Sequence, residues 1–420
     1  MNERGLMKLP FTARFKANST REVFGAVSWN FLGMFFSLVT GILTARILDP
    51  ENRGLLALAL TISSLSYLCS SVGTNSAVRT LQPRYSWASF RTYFLVSVFL
   101  LAVNAVFVLA ILFFFVELGF VEFSDHVIAV ALLGTLTFVS NQLLDMFNAA
   151  GRASQSARAN TVGHFATMIS LLIVFLWGTF ANLQGVLVSY SLSFAVRILV
   201  MFVLARNADF EFGGSSRAGR KKFLGASTKF WGINLSQTLT LRSDQFLLGV
   251  LSNAYHVGVY AVAVTPATLM QVAANSIGQV AYREAATGSM TLRRLIKFLT
   301  ATFVLSFCYG VLLWLLAPIL IPLVYGQDYD ESVPIVRVLV ISGLLLSPYS
   351  VLLRVLAGLN YPYVSTFAGV VGVITLAISS LILVPSHGAL GAATSTIFAY
   401  SVMLIVAGLG IFYHYRNKSS

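Results

Sequence analysis

Long apolar runs separated by short polar segments dominate this chain. Each run approaches or exceeds the roughly 20 residues that a helix needs to cross the hydrocarbon core of a bilayer. The twelve runs lie at 23–48, 54–78, 92–116, 126–149, 161–182, 184–206, 223–251, 255–279, 294–318, 333–358, 361–384 and 386–414. They are continuous rather than short and alternating, so the pattern predicts an all-α polytopic membrane protein and excludes a β-barrel.

A basic segment, residues 1–22, precedes the first apolar run. This run is too long for the core of a signal peptide, and no small-residue cleavage site follows it. The sequence therefore predicts that the first run is kept as a transmembrane helix.

The distribution of charge sets the predicted orientation. The chain is 57% hydrophobic and only 10% charged, with a formal net charge of +13. With the N-terminus in the cytoplasm, the cytoplasmic segments carry 21 basic and five acidic residues, and the outer loops carry two basic and eight acidic ones. Because Lys and Arg mark the cytoplasmic side, both termini are predicted to be cytoplasmic. The basic excess is then topological, which excludes a nucleic-acid-binding function.

A weak internal repeat divides the chain into two halves. The longest hydrophilic insert, residues 207–222, follows the sixth run and is predicted to be a cytoplasmic linker between six-helix lobes at 1–206 and 223–420. Residues 54–60 and 258–264 both read Gly-x-x-Ala-x-Ala-x at the start of the next helix, 204 residues apart. Two pseudo-equivalent lobes predict a site near the bilayer midplane and a rocking motion between the lobes.

Only two acidic residues, Asp145 and Asp244, lie inside the apolar runs. A charge at that depth costs several kcal/mol unless it faces water, a partner or a substrate. These residues therefore predict function, and they favour a transporter. The basic residues within the membrane are Arg197, Lys229, Arg242, Arg337 and Arg354.

The seventh run carries a charged pair, Arg242 and Asp244. Positions two apart point to different sides of a helix, so the pair divides between two polar stripes. One stripe holds Asn234, Thr238 and Arg242, and the other holds Gln237, Thr240 and Asp244. We expect the first stripe to line a cavity, because an anion site needs a guanidinium that grips phosphate oxygens two at a time. The alternative is that both charges are paired within their own lobe.

Other charged positions are also candidates. Arg197 lies inside the sixth run, and Arg46 closes the first run, so both are expected to add positive charge to a shared cavity; for Arg46, snorkelling to the outer interface is an equal alternative. Lys229, Arg337 and Arg354 are expected at the interfaces. Asp145 lies among Asn141, Gln142 and Asn148, where it either binds a transported proton or joins a hydrogen-bond cluster between helices.

The sequence lacks the residue patterns that metal binding and ATP hydrolysis require. No histidine belongs to a metal-ligand cluster, and no Gly-x-x-x-x-Gly-Lys loop is present, so we expect neither a bound metal nor ATP hydrolysis. Cys69 and Cys308 lie within apolar runs and do not predict a disulfide framework. The outer loops are short, which argues against an enzyme with an outward catalytic platform.

Four motifs give the chain a family resemblance. They are Thr44-Ala45-Arg46-Ile47-Leu48-Asp49-Pro50 before Arg53-Gly54, Arg242-x-Asp244-x-Phe246-Leu247-Leu248-Gly249 before Val257-Gly258, Leu323-Val324-Tyr325-Gly326, and Gly388-Ala389-Leu390-Gly391-Ala392-Ala393. In this order they resemble the Wzx-type flippases of the multidrug/oligosaccharidyl-lipid/polysaccharide transporter superfamily. Asp49 stands where that family usually has glycine, and Arg53 where an aromatic residue is common.

The resemblance implies a function and a location. It implies two six-helix bundles that form a V around a cationic cavity in a bacterial inner membrane. The implied substrate is an oligosaccharide on a polyprenyl diphosphate, flipped to the outer leaflet for surface polysaccharides such as O-antigen. It also implies no bound cofactor, counter-transport of protons or sodium on Asp145 or Asp244, and a polymerase and a chain-length regulator as partners beside membrane lipids.

Three other functions are weighed against the flippase. A drug or cation exporter of the same fold would favour carboxylates over arginines in its cavity, whereas five bases and two acids lie in the membrane here. A polysaccharide polymerase or ligase would need a long outer catalytic loop. A scaffold would need no charges at the midplane. The flippase is the function that the sequence favours.

Overall fold

A computed structural model describes residues 15–82, 85–178, 180–206, 212–359 and 361–419. Within these ranges the chain forms α-helices and two short 3-10 turns, and no strand is assigned. The helices are α1 Phe15–Ile47, α2 Pro50–Ser71, α3 Thr74–Leu81, α4 Phe90–Glu117, α5 Glu122–Asp125, α6 Val127–Ala149, α7 Ala153–Trp177, α8 Leu183–Arg206, α9 Arg217–Leu251, α10 Ala254–Thr268, α11 Gln271–Ala286, α12 Leu292–Val324, α13 Ser332–Gly358 and α14 Pro362–Ser419. The predicted all-α membrane fold is confirmed.

Nine of the described helices are long and apolar enough to cross a bilayer. A tenth span comes from α10 and α11, which are bent by 47° at their junction. One of the nine, Tyr363–Arg416, covers the last two predicted spans, and Gly388 divides it with non-helical backbone angles (φ 52°, ψ −129°). The remaining predicted span, 223–251, lies in α9. This helix has many polar residues, so it is not apolar enough to count among the nine.

Lipid-facing surfaces are recognisable on single helices. On α4, Phe99, Val106 and Phe113 repeat every seven residues and are 63%, 67% and 59% exposed. The opposite side of α4 is buried and includes Asn104, whose amide accepts from Ser70 Oγ (3.0 Å) and donates to Gly134 O (3.3 Å). Large apolar side chains that face outward while polar ones are satisfied inside indicate a helix in lipid.

The chain forms two compact units, residues 1–47 with 59–235 and residues 48–58 with 236–420. These bounds differ from the predicted lobes, since residues 48–58 belong to the second unit and 223–235 to the first. In the first unit, α7 packs on α1, α6 and α8, and α6 also contacts α3 and α4. In the second unit, α13 packs against α10, α11, α12 and α14.

The repeated glycines meet within the second unit. A Cβ at Gly54 would lie 1.8 Å from Ala254 O, and a Cβ at Gly258 would lie 1.8 Å from Pro50 O. Each glycine therefore faces the carbonyl four residues before the other one, so the contact between α2 and α10 is reciprocal. Only glycine fits at either position, which explains why the repeat begins with it.

The turn before α2 has a local explanation for Asp49. Its carboxylate accepts from Asn52 N (2.8 Å) and Asn52 Nδ2 (3.3 Å), and Pro50 is the first helical residue. An aspartate before a proline is a favourable helix start, because the side chain satisfies an amide that the helix leaves open. Asp49 thus caps α2 at the position where a glycine is usual.

Candidate functional site

A polar cavity of about 500 Å³ lies within the first unit. It is lined by residues of α1, α2, α3, α6, α7 and α8. They are Ala26, Asn30, Tyr67, Asn75, Arg79, Asn141, Leu144, Asp145, Asn148, Ala153, Ser156, Ala157, Asn160 and Arg197. Five asparagines and two arginines surround a single carboxylate, so the cavity offers many hydrogen-bond donors and a net positive charge.

A break between α2 and α3 lets two residues reach this cavity. Val72 (φ 46°) and Gly73 (φ 74°) both have left-handed backbone angles, which is unusual for a β-branched residue. A Cβ at Gly73 would lie 2.4 Å from Ser227 O of α9, so only glycine allows this close approach. Beyond the break, Asn75 and Arg79 are one helical turn apart on α3 and both line the cavity.

Asp145 is held by two neighbouring helices. Its carboxylate accepts from the Tyr67 hydroxyl of α2 (2.7 Å) and forms an ion pair with Arg79 of α3. Asp145 is 6% exposed, so these contacts supply the partners that a buried charge requires. Asp145 therefore joins α6 to α2 and α3 and also lines the cavity, and its predicted role stays a prediction.

One face of α6 points into the cavity. Asn141, Asp145 and Asn148 have helical spacing and all contribute to the lining. Gln142 does not line the cavity, since its side chain bonds elsewhere: its Oε1 accepts from Tyr93 Oη, and its Nε2 donates to Thr74 Oγ1 (3.4 Å).

Arg197 is buried on α8, and one of its guanidinium nitrogens has no hydrogen-bond partner. Its Nε donates to Ser140 Oγ, and its Nη1 donates to Asn160 Oδ1 at 2.5 Å. Its Nη2 has no hydrogen-bond partner, although the residue is only 7% exposed. A Cβ at Gly163 would lie 3.2 Å from Arg197 Cβ, so the small residue on α7 leaves room for the arginine stem. A buried guanidinium with a spare donor beside a polar cavity fits an anionic ligand.

The other predicted site residues lie elsewhere. Arg46 is exposed in the last turn of α1 and does not line this cavity. Arg242 is exposed on α9, whereas Asp244 is buried and accepts from Tyr260 Oη (2.7 Å) and Gln245 N (2.8 Å). The two charges thus have different surroundings, as their spacing predicts. Asn234 and Thr238 lie outside the residues whose side chains the structure describes.

Two further arginines have contacts within the second unit. Arg354 of α13 donates to Asn275 O (2.9 Å) and Asn275 Oδ1 (2.7 Å) of α11. The Arg337 guanidinium lies 5.6 Å from the Trp314 ring centre, which is within cation–π range. Both residues join neighbouring helices, and their predicted interfacial position stays a prediction.

Sequence reasoning missed several cavity residues. The predicted topology places Arg79 in a cytoplasmic loop, as one of the basic residues that set the orientation. Its contact with Asp145 depends on the break at Val72 and Gly73. Tyr67 and Asn30 are single polar residues in apolar runs, and Asn160 directly precedes the run 161–182. The available signal was the spacing of Asn75 and Arg79, which places both on one helix face.

Comparisons with known proteins agree with this architecture. A family model described as "Polysaccharide biosynthesis protein" matches residues 19–282, which is more than half of the chain. The chain belongs to this polysaccharide biosynthesis family. Among proteins of curated function, no sequence match is significant.

Solved structures show the fold that this family member adopts. A multidrug resistance MATE family transporter of the MOP superfamily, in its inward-facing conformation, superimposes with a TM-score of 0.73 at 18% identity over 94% of this chain and 99% of that one. The lipid II flippase MurJ gives 0.61 at 12% identity over 93% and 87%. A MOP superfamily transporter from Pyrococcus furiosus gives 0.57 at 14% over 96% of each chain. The family member therefore has a MATE-like membrane fold.

Proposed function

We propose that this family member is a Wzx-type flippase. It moves an oligosaccharide on a polyprenyl diphosphate from the cytoplasmic to the outer leaflet of a bacterial inner membrane during surface polysaccharide biosynthesis. The observation that carries the proposal is Arg197, a buried guanidinium with an unused donor on a cavity rich in amides. Membership of the polysaccharide biosynthesis family supports the substrate class.

The cavity has the chemistry that such a head group needs. Guanidinium groups bind phosphate oxygens through charge-assisted hydrogen bonds, which are strong where water is scarce. Asparagine amides both donate and accept, and so they match sugar hydroxyls. Arg197 and Arg79 are the proposed phosphate ligands, and Asn141, Asn148 and Asn160 are the proposed sugar ligands.

The lining residues also suit loading from the cytoplasm. In the predicted topology, Asn30 is near the inner end of α1, Arg79 is at the inner end of α3, and Asn148 precedes the inner loop before α7. The polyprenyl tail stays in the bilayer while the charged head group enters the cavity. Transport then follows by alternating access, with Asp145 or Asp244 as the proposed carrier of a coupling proton or sodium ion. Arg46, Arg242, Asn234 and Thr238 remain proposed contacts of the head group.

Export in cells tests the proposal. In a strain that lacks the chromosomal gene, the wild-type chain should restore surface polymer, and Arg197→Ala should lose it while its membrane level stays normal. Arg294→Ala is the control, because Arg294 forms an exposed ion pair with Glu284 (3.3 Å) and does not line the cavity. Normal export by Arg197→Ala, or efflux of cationic dyes by the wild type, would contradict the proposal and favour a drug exporter.

A further inference from the structure

The ion pair between Arg79 and Asp145 is unequal in its exposure. The Arg79 side chain is 49% exposed, whereas the Asp145 side chain is only 9% exposed. The carboxylate has a second partner in Tyr67 Oη, 2.7 Å away, so it keeps one hydrogen bond if Arg79 leaves. Arg79 is thus the exposed partner of the pair, and Asp145 is the buried partner with a second hydrogen bond.

Arg79 has donors to spare for a ligand. A guanidinium carries five N–H groups, and the contact with Asp145 joins one nitrogen to one carboxylate oxygen. Arg79 lines the same cavity as Arg197, whose Nη2 is buried without a partner. An anion in this cavity that contacts Arg79 would compete with Asp145 for the guanidinium.

We infer that Asp145 is a resident counter-ion that occupies Arg79 in the empty cavity and yields it to phosphate oxygens of an incoming anion. The inference rests on the proposed function for the identity of that anion, a polyprenyl diphosphate. A phosphate that binds Arg79 replaces the Asp145 carboxylate, so the ion pair lowers the affinity for the anion and helps its release. A neutral head group has no charge with which to displace the carboxylate, so the pair also selects for anions.

Calorimetric titration of the purified full chain with inorganic pyrophosphate tests this exchange. Asp145→Asn removes the competing charge with little change of shape, and it should bind pyrophosphate at least about tenfold more tightly than the wild type. Asp145→Ser is a second neutral variant, in case the first does not fold, and it should also bind more tightly. Arg79→Gln should bind at least about tenfold more weakly, and adding Asp145→Asn to it should restore nothing.

The exposed ion pair between Glu284 and Arg294 supplies the control variant. Glu284→Gln neutralises the carboxylate of the exposed pair with Arg294, and pyrophosphate affinity should not change. Unchanged or weaker binding by both neutral Asp145 variants would overturn the inference, because Asp145 would then merely orient Arg79. If these variants bind more tightly but export does not need Arg197, the exchange stands and the proposed function fails.

Discussion

The contact between Gly54 and Gly258 makes a quantitative prediction. A Cβ added to either residue would lie 1.8 Å from a carbonyl oxygen of the other helix, and real Cβ atoms stay at least 3.0 Å away. The atoms in contact must therefore separate by at least 1.2 Å. Both obstacles are backbone atoms, so no side chain can rotate to relieve the clash. Each single alanine substitution should cost about 3 kcal/mol, the upper end of the range for overpacking.

The reciprocal geometry makes the two costs non-additive. A separation of α2 from α10 that accommodates Gly54→Ala also removes most of the clash of Gly258→Ala. The double variant should therefore be less destabilised than the sum of the singles, with a coupling energy of about 1–2 kcal/mol. Thermal or denaturant unfolding of the purified chains in detergent measures each term.

A matched control separates this clash from a general effect of alanine. Gly408 lies within α14 and has nothing within 4 Å of an added Cβ. Gly408→Ala should leave stability unchanged or raise it by up to about 1 kcal/mol, because alanine favours the helix. Additive costs for Gly54 and Gly258, or single variants as stable as the wild type, would refute the reciprocal contact.

Two further predictions concern charged and titratable groups. Arg242→Ala should abolish polymer export while the protein stays in the membrane, because the proposed contact of this guanidinium with the head group would be lost. Unchanged export, measured on surface polymer, would reject that role for Arg242. Burial raises the pKa of Tyr325, in the loop after α12, to about 12 from 10.0, although Arg53 opposes the shift. The unfolded chain then loses this proton first, so stability present below pH 10 should fall between pH 10 and 12. In chemical denaturation, Tyr325→Phe should lose less stability than the wild type between pH 10 and 12. An identical loss would contradict the raised pKa of Tyr325.

Much of the fold follows from hydrophobic patterning alone. The apolar runs predict the spans because hydrocarbon leaves helices as the favourable state for a continuous apolar segment. The same physics marks Asp145 and Arg197, since buried charges are too costly to be accidental. The structure places both at one cavity, on α6 and α8.

The rest of the site depends on tertiary packing. Arg79 reaches Asp145 because the backbone breaks at Val72 and Gly73, and that break depends on the close approach of α9. A short stretch of sequence around Arg79 contains neither Asp145 nor α9. Likewise, Gly388 interrupts α14 where an added Cβ would meet the His256 ring at 2.7 Å, a contact between residues far apart in the chain.

Arg197 is the proposed ligand of the diphosphate of a lipid-linked oligosaccharide. The direct measurement is the rate at which the purified chain flips a fluorescent polyprenyl-diphosphate oligosaccharide in proteoliposomes, read out by a membrane-impermeant quencher. We predict flipping by the wild type and by Arg294→Ala, and at least about tenfold slower flipping by Arg197→Ala. Equal rates for Arg197→Ala and the wild type, or no flipping by the wild type, would contradict the account.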